Sequence, residues 1–197
     1  MTATTTTRLE RLHFTGDDES DRLLASDPLA LLIGFALDQQ VSVQKAFSGP
    51  AELRRRIGHL DAARIAAMDP GELERVFRER PALHRFPGAM ARRVQALSAE
   101  IASRYGGDAS RVWADAADGR DLVARLLALP SIGEMKARSL VAILARRFGL
   151  RLPGLDEVLP DHATLGDVDS AEALASYQAG KRAFKAAMRS RQEATGS

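Results

Sequence analysis

The sequence predicts an all-α protein. Two observations carry this. Apolar residues recur at helical spacing over most of the chain, in segments opened by Asp or Ser and closed by Gly or Pro. Alternating β-branched runs of strand type are missing, so no turn dipeptide stands between two such runs.

The elements follow in order. Asp17 to Ala25 reads as a short acidic helix. Asp27-Pro28 opens the next, with Asp as N-cap and Pro at the first helical position. That helix is apolar on almost every side through Leu37, which makes it central and buried. A third runs from about Val43 to Ile57, with a bend expected at Ser48-Gly49-Pro50 and Gly58 as C-cap. Asp61 to Met68 is short and amphipathic, and Asp69-Pro70 starts a helix to about Arg80. "RPALHRFPG" is a loop. Gly88 to Tyr105 is the longest clean amphipathic stretch, with Met90, Val94, Leu97 and Ile101 on one stripe and Gly106-Gly107 as its stop. A small helix carries Trp113. Asp118 or Gly119 starts a helix that leads to Leu129, and a further helix runs from the following turn to about Phe148. Arg151 to Asp167 is punctuated by Pro and Gly and reads as loop with at most one helical turn. Ser170 caps a last, basic helix to about Arg189. The expectation is about eight to ten helices. Residues 1–16 read as a disordered tail, 17–192 as one helical domain of one or two lobes, and 193–197 as a second tail.

A chain of 197 residues buries a core without metal or disulfide staples. It has no cysteine, which excludes disulfides, thiolate catalysis, iron–sulfur clusters and zinc-thiolate sites. His13, His59, His84 and His162 include no i, i+4 pair, so no helical metal site is written. The first ten residues lack the apolar region of a secretory signal, and the longest apolar run, Pro28 to Leu37, is too short to span a membrane. A cytoplasmic, nucleoid-associated location without a membrane partner is the expectation. The net charge of +2 says little about a partner. Its distribution says more. Lys136, Arg138, Arg146, Arg147 and Arg151 face Glu134 alone between 131 and 151, and Lys181, Arg182, Lys185, Arg189 and Arg191 stand without an acid between 181 and 191. Such segregation either builds a basic face or decorates a solvated helix.

"LPSIGEMKARSLVAIL" holds the most specific pattern. Pro130 stops one helix, Ile132 is an apolar plug inside the turn, and Gly133 allows a backbone that a Cβ would oppose. Leu126, Leu127 and Leu129 pack the end of the first helix. Ala137, Leu140, Val141 and Leu144 form the inward stripe of the second, with small Ala137 letting the helices approach. The second helix begins with its first N–H groups unsatisfied, which is an anion site suited to a phosphate. Lys136 and Arg138 add positive charge. Contacts of this kind grip a nucleic-acid backbone without reading its sequence.

The stretch Leu129, Pro130, Ile132, Gly133 and Ala137 resembles the helix-hairpin-helix motif, and its context resembles the HhH-GPD superfamily of base-excision DNA glycosylases. Ser131 stands where that pattern has its first glycine, and serine takes a strongly positive φ only at a cost. "LLIGFALDQQVS" resembles the family's buried helix and glutamine loop. Gln40, with Gln39 beside it, then matches the side chain that fills the gap left by a flipped base. "FGLRLPGLD" resembles the Gly/Pro loop and its aspartate. The resemblance covers roughly Pro28 to Asp156 and implies an HhH-GPD fold with one hairpin that binds double-stranded DNA with a flipped base through Pro130, Ser131, Ile132, Gly133, Lys136, Arg138, Gln39 and Gln40.

The resemblance also implies chemistry. Asp156 would be the carboxylate that stabilises an oxocarbenium-like transition state and orients water. The other reading of Asp156 is a loop aspartate capping one helical turn, and Asp161 with His162 is a lesser candidate. Relatives that also cut the backbone carry a lysine where this chain has Met135, so the implied enzyme is a monofunctional glycosylase without lyase activity. No cofactor is implied, and the family allows a monovalent cation at the carbonyls of Leu129 to Gly133. A flipped base stacks on aromatic rings. Trp113, Tyr105 and Tyr177 are the freer aromatics, with Phe35 and Phe77 assigned to the core. Two alternatives stay open: a non-catalytic DNA-binding or damage-sensing module, and a helical protein-interaction module whose hairpin is only a connector.

Overall fold

The computed structural model describes residues 9–195, with the backbone alone at 184–185 and 188–195. The described residues form eleven α-helices and one 3-10 turn, with no strand. The helices are α1 (Asp18–Ser26), α2 (Pro28–Leu37), α3 (Val43–Ile57), α4 (Ala62–Ala67), α5 (Pro70–Arg78), α6 (Pro87–Tyr105), α7 (Arg111–Ala114), α8 (Gly119–Leu127), α9 (Glu134–Arg146), α10 (Leu155–Val158) and α11 (Ala171–Thr195). The 3-10 turn is Leu165–Asp167. No helix among the described residues is long and apolar enough to cross a membrane.

Asp27, Asp69 and Asp118 are the caps that the sequence marks, and Asp17, Ser42 and Asp61 join them. Asp17, Asp27, Ser42, Asp61, Asp69 and Asp118 each accept from an amide in the first turn of the helix they precede. Gly58 and Gly106 close α3 and α6 in the left-handed conformation that suits glycine. Pro50 lies inside α3, at the expected bend, and the helix runs through it to Ile57. The Arg151-to-Asp167 segment contains two short helical elements rather than one turn at most, α10 and the 3-10 turn.

α2 is the hub, with every residue from Leu29 to Leu37 buried. It lies against α1, α3 and α6. Phe47 of α3 sits with its ring centroid 5.1 Å from Phe14 and 5.1 Å from Phe35, edge-on to both. The ring lies directly over Gly34, whose missing Cβ would come 2.5 Å from Phe47 Cδ1. Leu37 in turn presses on Gly49 of α3. The two glycines let the helices approach reciprocally, each making room for the other's large side chain.

Residues 9–16 correct an expectation. They are not a tail: Leu12 and Phe14 are fully buried. Asp21 holds the segment, accepting from the amides of Phe14 (3.1 Å) and Thr15 (3.0 Å) and from the Thr15 hydroxyl (2.9 Å). No helical periodicity marks such a segment, because it is irregular and is held by bonds to Asp21. Residues 1–8 and 196–197 of the two expected tails lie outside the described residues, and 193–195 belong to α11.

α8 and α9 form a helical hairpin joined by residues 128–133, plugged by buried Leu129 and Ile132. Ala137, Leu140, Val141 and Leu144 are fully buried, as the stripe predicts. Leu127 is not part of it and is 44% exposed, about 100° around the helix axis from buried Leu126. Gly166 packs the 3-10 turn on α9, where a Cβ would lie 2.6 Å from the Ala142 carbonyl carbon.

Replacing Gly34 with Ala forces a methyl into the Phe47 ring, which Phe14 and Phe35 hold in place. Urea unfolding of Gly34→Ala is expected to show a loss of about 1–3 kcal/mol; an unchanged midpoint would mean that the ring can withdraw.

Candidate nucleic-acid interface

The hairpin turn resolves the question that Ser131 raises. Its backbone lies in the left-handed region, at φ +70°. The serine therefore adopts the conformation that the glycine of the resembled pattern would supply, at a cost of about 1–2 kcal/mol for an L-residue. Gly133 does not need its freedom: φ is −91°, and a Cβ there would meet nothing within 4 Å. The sequence places the need for a glycine at Gly133. In the structure it falls two residues earlier, where the chain reverses after Pro130.

Gly133 is the N-cap of α9 and provides no capping side chain. The amides of Glu134, Met135 and Lys136 donate to no group among the described residues, and the first bond of the helix is Ala137 N–H to the Gly133 carbonyl, 2.9 Å. α6 also starts without a side-chain cap, but Pro87 at its first position has no N–H and the Glu74 carboxylate lies against Gly88. Its N-cap is Phe86, which has no side-chain acceptor. The helices of nine residues or more other than these two begin on an Asp or Ser oxygen. Uncapped amides at a helix N-terminus attract anions.

The α6 start is tied to the loop between α2 and α3. His84 links α6 to it: its Nδ1 accepts from the Phe86 amide at 3.0 Å, so its Nε2 carries the proton and donates to the Gln39 carbonyl at 3.1 Å. Arg93 of α6 donates to the Gln39 side-chain oxygen. Gln39 is thus held at both ends. Gln40 is exposed, has no hydrogen bond among the described residues and sits at φ +56°. Burial pushes the Lys136 ammonium below its usual range, opposed by the nearby Asp38 carboxylate and reinforced by Arg93. The Lys136 ammonium is thus within electrostatic reach of Asp38 in that loop and of Arg93 of α6.

The remaining expected residues divide. Pro130 and Ser131 are half-buried and Ile132 is buried, so the turn offers backbone rather than side chains. Lys136 folds back and donates to the Ser131 carbonyl at 3.3 Å, bracing the strained turn. Arg138 pairs with Glu134 at 3.0 Å, both exposed. Other cations of the 131–151 run serve the fold. Arg146 pairs with Asp167, and Arg151 donates to the carbonyls of Ala145 (3.2 Å) and Leu150 (3.0 Å).

Asp156 lies elsewhere. It is exposed on α10 and has no hydrogen bond or ion pair among the described residues, while neighbouring Glu157 pairs with Arg120 at 3.1 Å. The loop before it is pinned to the beginning of α8: Gly119 N–H donates to the Pro153 carbonyl at 2.9 Å, and a Cβ on Gly119 would meet the Gly154 carbonyl at 2.7 Å. The turn follows the other end of α8, about 13 Å away for nine residues at 1.5 Å each. Asp161 and His162 pair with each other at 3.2 Å, exposed to solvent. No cluster of three or more metal-ligating side chains occurs among the described residues.

Sequence reasoning missed Phe86. It is 41% exposed, its neighbour Arg85 places a guanidinium 4.9 Å from the ring centroid, and His84 lies behind it. Tyr105 is buried, and Trp113 and Tyr177 are half-buried. The signal in the sequence is an aromatic between Arg and Pro inside a loop, where no helical stripe demands it. Arg56 and Lys45 fix this loop from below. Arg56 donates to the carbonyls of Val76 (2.6 Å), Glu79 (3.0 Å) and Pro81 (2.7 Å), and Lys45 to that of Ala82 (2.7 Å).

No protein-family model, curated protein or solved structure matches the chain.

The turn and the loop can each be probed through stability. Ser131→Gly relieves the left-handed strain and raises stability by about 1 kcal/mol in urea unfolding, whereas Gly133→Ala leaves it within about 0.5 kcal/mol; the opposite ranking would contradict the turn geometry. Burial, with Lys45 and Arg93 beside it, also holds the His84 ring below its ordinary 6.5, against the carbonyls of Gln39 and Leu37. The unfolded ring then takes up a proton more readily than the folded one. Its contribution is complete above pH 6.5 and is lost as pH falls below that value. The melting temperature should therefore drop more steeply from pH 7 to pH 5 in the wild type than in His84→Gln.

Proposed function

We propose that the chain is a duplex-DNA-binding protein of the base-excision type, with an HhH-GPD-like fold and the α8–α9 hairpin as its phosphate clamp. One observation carries this reading: the turn before α9 leaves three amides unbonded, with the Lys136 ammonium within electrostatic reach of Asp38 in the loop that presents Gln40. The α9 amide cluster suits a phosphate, whereas the α6 start already faces the Glu74 carboxylate. Gln40 is exposed and unbonded, and Phe86 with Arg85 offers a ring and a cation on the loop that His84 ties to Gln39. Base release without strand cleavage is the finer form of the proposal, since the exposed Met135 supplies no amine.

The position of Asp156 favours a second reading, a DNA-binding or damage-sensing module without catalysis. A base-releasing carboxylate must reach C1′ of the flipped nucleotide. Asp156 stands about a helix length from the turn, and the carboxylate within electrostatic reach of the Lys136 ammonium is that of Asp38.

Anisotropy titrations with labelled duplexes test the shared part. Binding should weaken steeply with salt, and Lys136→Gln combined with Arg138→Gln should weaken it on all sequences, lowering the slope of log K against log salt by about 0.9 for each phosphate that is no longer neutralised. No affinity at low salt would leave the protein-interaction module. Incubation with duplexes carrying uracil, alkylated, oxidised or mismatched bases, then alkali, separates the two forms. Cleavage that disappears in Asp156→Asn identifies the glycosylase of the resemblance. Cleavage that survives Asp156→Asn and disappears in Asp38→Asn transfers the role. Binding without cleavage on the whole panel establishes the module.

A further inference from the structure

The chain's other basic run lies on α11, and the path of that helix links it to the loop between α2 and α3. α11 begins at Ser170, whose hydroxyl accepts from the Ala173 amide at 3.1 Å, next to the 3-10 turn that packs on the middle of α9. Leu174 is buried there. One turn later Gln178 exchanges side-chain hydrogen bonds with Gln44, at 2.8 and 3.4 Å. Gln44 is in the first turn of α3, four residues beyond Gln40. The helix thus arrives at the candidate interface and continues past it for seventeen residues, about 25 Å at 1.5 Å each.

Beyond Gln178 the helix changes character. Residues 179–183 are exposed. Lys181 lies over the Tyr177 ring, 5.3 Å from its centroid, and Arg182 has no ion-pair partner among the described residues. The sequence adds Lys185, Arg189 and Arg191 to the same helix, and no acid occurs between Glu172 and Glu193. A helix that buries an apolar face explains its sequence by packing. In this one residues 179–183, 186 and 187 are exposed and the charge is of a single sign, which repels itself unless a polyanion neutralises it.

We propose that α11 from Lys181 onward is an arm that lies along the phosphate backbone of duplex DNA flanking the hairpin contact. The inference rests on the reading of the hairpin face as a DNA interface and adds a second, separable contact region. Five cations spread over about 15 Å match a backbone that carries a charge every 1.7 Å of duplex axis. The contact is sequence-independent, and it requires duplex extending past the hairpin footprint.

The test compares the full chain with Lys181→Glu/Arg182→Glu on a short duplex, about 10 base pairs, and on a long one, about 30, over a range of salt. On the long duplex the double variant should reduce the magnitude of the salt slope by about 2, close to 0.9 for each phosphate contact. On the short one it should change little. Circular dichroism should show the same helix content in both proteins. Equal behaviour of the two proteins on the long duplex, while the hairpin variant Lys136→Gln/Arg138→Gln still loses affinity, overturns the arm and leaves the interface standing. No binding of any duplex by the unaltered chain overturns both. A dimer in sedimentation that the double variant dissociates assigns the helix to a second copy and also overturns the arm.

Discussion

The contact between α2 and α3 sets the position of everything on the candidate face. Gly34 accepts the Phe47 ring and Gly49 accepts Leu37, so the two helices lie closer than helices with side chains at those positions allow. α2 then ends, and α3 begins, beside the α6 start, and the five-residue connection between them has little freedom. Asp38 acts on the Lys136 ammonium, Gln39 is clamped by His84 and Arg93, and Gln40 is exposed with a left-handed backbone. A looser α2–α3 contact would leave this loop unanchored, because its remaining bonds run to partners on other elements rather than within itself.

The second constraint is the turn. Ser131 bears a conformation that glycine adopts freely, and the cost is offset by the neighbours that require it. Leu129 and Ile132 are locked in the core on either side, and the Lys136 ammonium takes the Ser131 carbonyl as its partner. The same lysine stands in the first turn of α9, among the uncapped amides. One side chain therefore both shapes the turn and charges the site, so mutation of Lys136 alone would mix a structural with an electrostatic effect.

Much of the fold was legible because its signals are local. An Asp or Ser before Pro or a polar first turn, and a Gly after the last apolar position, mark helix ends with energies that act over a few residues. Asp27-Pro28, Asp69-Pro70 and Gly106 show this. Phe14 was not legible, since its burial depends on Phe47 and Asp21, and no periodicity announces either. Within the candidate site, the hairpin and Gln39-Gln40 stood out as motifs. Phe86 and His84 did not, because a loop residue gains a role only from what it is folded against.

The sequence by itself determined the all-α class, the helix order, the hairpin with its apolar plug, and the exclusion of cysteine chemistry. These follow from periodicity, capping and composition, which are properties of neighbours in the chain. Only the tertiary structure decided that His84 ties the α6 start to the loop between α2 and α3, that the positive φ falls on Ser131 rather than Gly133, that Arg146 and Arg151 bond to Asp167 and to backbone carbonyls while residues 179–183 of α11 are exposed, and that Asp156 sits at the far end of α8. Each depends on contacts between parts of the chain that no local pattern joins, and their free energy comes from burial and close packing.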